Sequence, residues 1–132
     1  MQNKAILCVD DEKIILVSLK SQLKKMFGSE YLYEFAEDAM EAFGIIEELV
    51  ADGIRIVVIV SDWLMPGMKG DEFLIKIHEK YKGVVTILLT GQADENAIRR
   101  ATEDAQLHCC LRKPWNEDEL FEQVNSGLKK LI

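Results

Sequence analysis

Five consecutive β-branched residues, Ile56 to Val60, constrain the fold of this 132-residue chain more than any other feature. The run lies between Arg55 and Ser61 and is apolar at every position rather than at every second one. A strand with one wetted face alternates apolar and polar residues, whereas a strand covered on both faces does not. The run therefore predicts a strand over 55–61 that is buried on both faces, as in a parallel sheet.

Shorter apolar runs alternate with amphipathic segments along the rest of the chain. Four further strands are expected, at Lys4–Val9, Tyr31–Ala36, Val84–Leu89 and Leu107–Leu111. Apolar residues at helical spacing predict five helices. These helices are expected from Glu12 to about Phe27, from a cap at Asp38 to Gly53, from about Phe73 to Gly83, from Asp94 to about Thr102, and from Asn116 to Leu131.

Five strands that alternate with five helices are typical of an α/β protein with a mostly parallel sheet. Right-handed crossovers restrict the order of the strands. We expect a flavodoxin-like, doubly wound sheet in the order 2-1-3-4-5, with a ligand crevice between the C-terminal ends of strands 1 and 3. Because no linker-like or low-complexity stretch divides the sequence, residues 1–132 are expected to form a single domain.

The charge balance argues against several classes of function. Sixteen Lys and Arg against 23 Asp and Glu give a formal net charge of −7, so direct binding to nucleic acid is not expected. No apolar run approaches the roughly 18 residues that span a bilayer, and residues 1–4 lead directly into a strand, so no membrane span or signal peptide is expected. Cys8, Cys109 and Cys110 are typical of reduced thiols in a cytoplasmic protein.

Polar residues follow four of the five predicted strands at the points where the apolar runs end. Asp10 and Asp11 follow strand 1, Asp62 follows strand 3, Thr90 follows strand 4, and Lys113 follows strand 5. The carboxyl ends of parallel strands share one edge of the sheet, so these side chains are expected to converge there. Any one of them could be an ordinary turn former, helix cap or solvated charge, with Asp11 a candidate cap. Their coincidence at four strand ends favours a functional site.

Three carboxylates at one edge repel one another unless a cation lies among them. Mg²⁺ prefers oxygen ligands and commonly joins a few carboxylates to a phosphate group. Lys113 would add a positive charge suited to a phosphoryl oxygen, and the hydroxyl of Thr90 could donate to another. The cluster therefore predicts a site for Mg²⁺ and a phosphoryl ligand.

The motifs at these strand ends resemble those of receiver domains from two-component response regulators. They are Val9–Glu12 (VDDE), Ser61–Gly70 (SDWLMPGMKG), Leu89–Gly91 (LTG) and Lys113–Trp115 (KPW). Each fragment alone is a weak indication of the family. Together, in this order and at the ends of strands that alternate with helices, they are a specific indication. The resemblance covers nearly the whole chain.

The resemblance implies a role for each residue of the site. Asp62 would be the phosphoacceptor, with Thr90 as the switch hydroxyl and Lys113 as the contact to the phosphoryl group. Asp10, Asp11, Asp62 and the backbone carbonyl of Leu64 would hold Mg²⁺, and the Lys113–Pro114 peptide would be cis. Phosphorylation would then repack the face formed by helix 4, strand 5 and helix 5.

The resemblance also implies the partners. The phosphoryl donor would be a sensor histidine kinase or a histidine phosphotransfer protein, and the recipient of the signal a downstream effector protein or a fused output domain. The domain would catalyse its own phosphorylation and dephosphorylation and no other reaction. Homodimerisation is left open, and the chain could be a complete regulator or a piece of a longer one.

Two departures from the family pattern affect the switch and the lifetime of the phosphoryl group. Many receivers carry an aromatic residue three positions before the lysine, where this chain has Cys110; His108, Trp115 or no residue at all could replace it. Leu64 and Gln92 lie two residues after Asp62 and Thr90, where they would border the hydrolytic water. An apolar Leu64 cannot orient that water, whereas Gln92 could.

Two other classes of function compete with a signalling switch. A Mg²⁺-dependent phosphatase or phosphotransferase for small molecules would resemble enzymes with Asp-x-Asp after strand 1, which this chain lacks. A phosphorylation-independent interaction module would be expected to have lost the acidic pair, the acceptor or the lysine, all of which are present. A nucleotide-binding site is not expected, because no glycine-rich phosphate loop occurs.

Overall fold

A computed structural model describes residues 3–91 and 95–131, which form a five-stranded parallel sheet with helices on both faces. The strands are β1 (Lys4–Val9), β2 (Leu32–Ala36), β3 (Arg55–Asp62), β4 (Val85–Thr90) and β5 (Cys109–Arg112). The helices are α1 (Lys13–Phe27), α2 (Ala39–Ala51), α3 (Gly70–Lys80), α4 (Glu95–Asp104) and α5 (Glu117–Lys129). A short 3₁₀ turn over Gly28–Glu30 joins α1 to β2.

The strand order is β2-β1-β3-β4-β5, and every neighbouring pair is parallel. This confirms the flavodoxin-like, doubly wound topology expected from the sequence. The β-branched run lies in β3, at the centre of the sheet, and residues 56–62 of that strand are all buried. Its pairing with β1 on one side and β4 on the other satisfies the backbone groups that this burial removes from water.

The core consists of two apolar clusters, one on each face of the sheet. Helices α1 and α5 cover the first, where Leu19 and Leu23 of α1 pack with Leu120 and Val124 of α5. Helices α2 and α3 cover most of the second, in which Phe73 is the largest fully buried side chain. Helix α4 contributes little, since its buried residues are two alanines, Ala97 and Ala101.

Local signals in the sequence place several helix ends correctly. The carboxylate of Asp38 accepts a hydrogen bond of 2.8 Å from the amide of Glu41, and the side chain of Asn116 accepts one of 2.8 Å from Asp118. Both are N-caps of the kind expected. The Glu41 carboxylate accepts from the amide of Glu37, one residue before the position that a capping box requires.

Several element boundaries differ from the predictions, and backbone hydrogen bonds explain two of them. Strand β5 begins at Cys109 rather than Leu107, because the Leu107 amide donates to Ala101 at the end of α4. Strand β4 begins one residue later than expected, because the Val84 amide donates to Tyr81. Helix α3 begins at Gly70, before the expected start at about Phe73. The predicted start of α4 at Asp94 lies outside the described residues.

No helix in the described ranges combines the length and apolar character needed to cross a bilayer.

Candidate functional site at the carboxyl edge of the sheet

The register of the sheet brings the predicted residues to one edge. Val9 pairs with Ser61, and Asp62 pairs with Leu89, so Asp10 follows β1 beside the end of β3. Thr90 pairs with Arg112, which places Lys113 directly beyond the end of β5. The backbone amide of Lys113 donates to the carbonyl of Thr90 at 2.9 Å, which fixes the start of the loop after β5.

Lys113 joins the two buried carboxylates of this edge. Its Nζ lies 2.8 Å from Oδ2 of Asp10 and 3.0 Å from Oδ1 of Asp62, and a longer contact of 3.8 Å reaches Oε1 of Glu12. Asp10 is fully buried and Asp62 is 5% exposed. Buried charges of this kind require partners, because their transfer from water is costly. The Lys113–Pro114 peptide is cis, as the family resemblance implied.

Asp10, Asp11 and Asp62 form a carboxylate cluster. Each offers an oxygen, and these oxygens all lie within 4.8 Å of one another. Asp10 and Asp62 are buried and Asp11 is exposed, so the cluster is open to solvent on one side. Oδ1 of Asp10 accepts from the amide of Glu12 at 2.9 Å, and no side-chain hydrogen bond caps α1. Asp11 is therefore not the helix cap that its position allowed.

The chemistry of this donor set fits a hard divalent cation such as Mg²⁺. Three carboxylates lie together, and the Lys113 ammonium pairs closely with two of them, Asp10 and Asp62, so the cluster carries an excess of negative charge. A cation with oxygen ligands compensates such an excess, and the exposed side at Asp11 leaves room for water ligands. The backbone carbonyl of Leu64 remains a predicted ligand.

Burial raises the pKa of Asp62 to about 6, against an ordinary value of 3.8. The hydrogen bond from Lys113 lowers this pKa and the charge of Asp10 raises it, so burial outweighs the lysine. Burial also lowers the pKa of Lys113, but hydrogen bonds to Asp10 and Asp62 reverse the effect, and its net pKa is raised. At neutral pH Asp62 and Lys113 are therefore both charged.

The raised pKa of Asp62 predicts a pH-dependent stability in metal-free buffer. Between pH 3.8 and about 6 the folded protein retains a proton that the unfolded chain has lost, so the stability contributed by Asp62 falls as the pH rises through this range. Asp62→Asn is expected to be more stable than the wild type at pH 7 by about 1–2 kcal/mol, a value reduced for partial solvent screening. Urea unfolding with EDTA at pH 4 and pH 7 measures the difference.

The control for this prediction is Asp52→Asn, at an exposed aspartate after α2. Its stability difference from the wild type is expected to stay the same at both pH values. If the stability difference between Asp62→Asn and the wild type is also the same at both pH values, burial of the Asp62 charge does not change the stability and the prediction is wrong.

Thr90 is 2% exposed, and its Oγ1 has no hydrogen-bond partner among the described residues. A buried hydroxyl without a partner is destabilising, so its retention at a functional edge suggests a ligand oxygen as partner. Thr86, on the same face of β4, has a second buried hydroxyl without a partner in the described part of the chain.

A cleft of about 310 Å³ opens above the carboxylates. Asp62, Trp63, Leu64, Gly91 and Lys113 line it together with Asp11 and Glu12. The side chain of Leu64 is 58% exposed at this edge. The cleft thus has an acidic floor, one ammonium group and an apolar rim. Gln92, the other residue predicted to border the hydrolytic water, lies outside the described residues.

Many receivers carry an aromatic residue on strand 5 where this chain has Cys110. His108 and Trp115, the two candidates to replace it, both bind other side chains. The ring of His108 lies 2.9 Å from both Oγ of Ser126 and Nζ of Lys130, at the end of α5. Nε1 of Trp115 donates to Oε1 of Gln22 on α1 at 2.7 Å. Cys110 is half-buried and packs against the second cluster of the core. The structure therefore assigns neither ring to the position that Cys110 occupies.

Two residues that shape the site were not predicted from the sequence. Gly70 lies before the expected start of the third helix; its amide donates to the carbonyl of Trp63 at 2.7 Å, and its Cα lies against the backbone of Asp62. Asp71 was not singled out, yet its buried carboxylate accepts hydrogen bonds from Trp63 and Arg100. The repeated glycines of the loop were the available signal for Gly70.

The response regulator receiver domain family matches residues 6–125, which is most of the chain. The chain belongs to this family. Two curated relatives are each 27% identical: the hydrogenase transcriptional regulatory protein HoxA of Cupriavidus necator, over 94% of this chain, and the chemotaxis protein CheY-3 of Vibrio cholerae, over 98%. The receiver thus covers 24% of HoxA but 95% of CheY-3.

Solved receiver structures agree with this assignment. The signal receiver domain of an HD domain-containing protein from Pseudomonas fluorescens superimposes on this receiver with a TM-score of 0.86 and 28% identity, over 99% of this chain and 90% of that one. The fold and the family are therefore those that the motifs at the strand ends predicted. Receiver domains are signalling modules of two-component systems, and this chain is one of them.

Proposed function

We propose that this receiver is a phosphorylation-dependent switch of a two-component phosphorelay, with Asp62 as the phosphoacceptor. The observation that carries the proposal is the single ammonium of Lys113 between Asp10 and Asp62, within a cluster of three carboxylates. The cleft above Asp62 gives a phosphoryl donor access to a carboxylate that is otherwise buried. Family membership supports the same role.

Asp10, Asp11, Asp62 and the backbone carbonyl of Leu64 would hold Mg²⁺ in this proposal. A bound Mg²⁺ supplies positive charge that offsets the negative charge of a transferring phosphoryl group. Asp10 is fixed by the Glu12 amide and by Lys113, so it is preorganised as a ligand or as a support for water ligands. Asp11 is exposed and reaches the same space from the solvent side.

The transfer step uses a carboxylate oxygen of Asp62 as the nucleophile. This oxygen forms a bond to phosphorus as the bond between phosphorus and the imidazole nitrogen of the partner's phosphohistidine breaks. The imidazole nitrogen leaves with the electron pair of that bond and can then take a proton from solvent. Lys113, whose Nζ is already 3.0 Å from Asp62, stabilises the charge on the phosphoryl oxygens. Water later hydrolyses the acyl phosphate and restores Asp62.

Phosphorylation would be relayed by Thr90 and Lys113. The group adds a charge of about −1.5 to −2 and three strong acceptor oxygens at Asp62. The hydroxyl of Thr90, which has no partner among the described residues, donates to one of them, and Lys113 turns from the carboxylate toward another. Thr90 precedes the segment that leads to α4, and Lys113 follows β5, so both shifts reach the face formed by α4, β5 and α5.

The proposed partners follow from this reaction. The donor is a sensor histidine kinase or a histidine phosphotransfer protein in the cytoplasm, and the recipient is an effector protein or an output domain. Because this receiver spans about a quarter of HoxA, the transcriptional role in the name of that relative belongs to the longer protein. In this proposal the receiver catalyses its own phosphorylation and dephosphorylation and binds no nucleic acid itself.

The proposal is tested with purified protein, Mg²⁺ and acetyl phosphate, by intact-mass spectrometry. We expect a gain of one phosphoryl group per chain, and no gain when EDTA is present from the start to remove the metal. Failure to gain the group would overturn the proposal in favour of a phosphorylation-independent interaction module. Hydrolysis of many small phosphate esters per chain would instead indicate a metabolic phosphatase.

Thr90→Val and Thr86→Val form a matched pair for the switch. Each change removes a buried hydroxyl without a described partner at nearly constant volume, so each is expected to stabilise the fold by about 1 kcal/mol. Both variants are expected to accept the phosphoryl group. Thr90→Val is expected to lose the response of α4, β5 and α5, measured by amide hydrogen exchange with and without acetyl phosphate, whereas Thr86→Val keeps it. An equal response in both variants would contradict the role of Thr90.

A further inference from the structure

Asp71, in the first turn of α3, joins two parts of the molecule through one buried carboxylate. The residue is 3% exposed. Its Oδ1 accepts a hydrogen bond of 3.1 Å from Nε1 of Trp63, and its Oδ2 accepts one of 3.0 Å from Nη2 of Arg100 on α4. A buried carboxylate is costly unless such partners compensate its charge, so neither contact is incidental.

Trp63 is held close to the proposed phosphoacceptor. It directly follows Asp62, its amide donates to Leu89 at 2.8 Å, and its carbonyl accepts from Gly70 at 2.7 Å. Its side chain lines the cleft, and Nζ of Lys69 lies 5.3 Å from the centre of its ring. A shift of the segment after Asp62 therefore moves the indole, and the indole is bound to Asp71.

Arg100 gives α4 a polar contact to α3, beside the apolar contact of the partly buried Ile98 with the second cluster of the core. The fully buried residues of this helix are Ala97 and Ala101, whose methyl groups remove little apolar surface from water. The guanidinium of Arg100 is largely exposed, but it pairs with a carboxylate that is 5% exposed. Movement of Arg100 away from this position would leave the Asp71 charge buried with Trp63 as its one remaining described partner.

We propose that Asp71 is a positioning residue that couples the segment after Asp62 to α4, so that the response of α4 to phosphorylation depends on the Asp71–Arg100 ion pair. This inference rests on the proposed function. The coupling has a physical path, because the indole, the carboxylate and the guanidinium are in direct contact in that order. Trp63 and Arg100 are thus the two ends of one chain of hydrogen bonds that passes through Asp71.

Arg100→Gln and Asp71→Asn are the variants that test the coupling. Arg100→Gln removes the cation, and Asp71→Asn keeps an oxygen for Trp63 but removes the charge that holds Arg100. The matched control is Arg99→Gln, which makes the same change on the same helix at a residue that bonds to Asn96 instead. Arg100→Lys restores a cation within reach of Oδ2 and serves as the rescue variant.

The measurement is amide hydrogen exchange of residues 95–104 with and without acetyl phosphate and Mg²⁺, with intact mass recorded on the same samples. All variants are expected to accept one phosphoryl group. The phosphorylation-induced change in α4 is expected to fall to about half or less in Arg100→Gln and Asp71→Asn, with no further loss in the double variant. Arg99→Gln is expected to respond as the wild type, and Arg100→Lys to regain most of the response.

A purely structural role predicts a lower melting temperature for Arg100→Gln with an unchanged α4 response. If Arg100→Gln is phosphorylated and responds as Arg99→Gln does, the coupling is overturned and the proposed function stands. If the wild type accepts no phosphoryl group, the proposed function fails and this inference fails with it. The intact masses separate these two results.

Discussion

Asp62→Asn is expected to abolish phosphoryl uptake from acetyl phosphate. The amide has nearly the same size and can still lie beside Lys113, but it lacks the negative oxygen that attacks phosphorus. Asp10 is fully buried beneath Lys113, and Asp11 lies on the exposed side of the cluster, so neither is placed as Asp62 is. Intact-mass spectrometry of the variant with Mg²⁺ is expected to show no adduct.

The control is Asp52→Asn, which changes an exposed aspartate away from the cleft and is expected to gain one phosphoryl group as the wild type does. Circular dichroism verifies that both variants are folded. Persistence of the adduct in Asp62→Asn would assign the acceptor to another side chain. Loss of the adduct in both variants would show that the loss is not specific to Asp62, and the assignment of the acceptor to Asp62 would then be withdrawn.

Gly70→Ala is expected to destabilise the protein by about 3 kcal/mol, near the upper end for overpacked sites. A Cβ at this position would overlap the carbonyl oxygen of Asp62 and lie 2.9 Å from both its carbonyl carbon and Cα of Trp63. These are backbone atoms of the segment that carries the proposed phosphoacceptor, so no side-chain rotation relieves the overlap. The variant is also expected to accept the phosphoryl group more slowly, because Asp62 is displaced from Lys113.

Gly44→Ala is the matched control for this change. Gly44 lies inside α2, and a Cβ there would meet no atom within 4 Å. The substitution is expected to stabilise the protein by about 0.5–1 kcal/mol, since alanine is the better helix former. Urea unfolding measures both variants. If Gly70→Ala is as stable as Gly44→Ala, the close approach of α3 to Asp62 does not constrain residue 70.

The central strand and the polar residues at the strand ends were predictable because their signals are local. An unbroken β-branched run specifies burial on both faces, and residues at the carboxyl ends of parallel strands must share an edge. Asp10, Asp62, Thr90 and Lys113 meet there for that reason. The capping residues Asp38 and Asn116 also act within their own first helical turn.

Features that depend on tertiary contacts were not predictable in this way. Strand β5 begins later than its apolar pattern suggests, because the end of α4 binds the Leu107 amide. The partners of Asp71 are eight and 29 residues away in sequence, so no local pattern marks its burial. Gly70 looks like an ordinary turn residue until α3 is packed against β3.

The position of the proposed acceptor, Asp62, at the end of β3 has a mechanical consequence. This strand is paired on both sides and sends side chains into both halves of the core, so close-packed structure surrounds it. A new charge at its tip cannot be accommodated by bending the strand. In the proposed switch, we therefore expect the outer elements at the edge of the sheet to change shape while the centre of the sheet stays fixed.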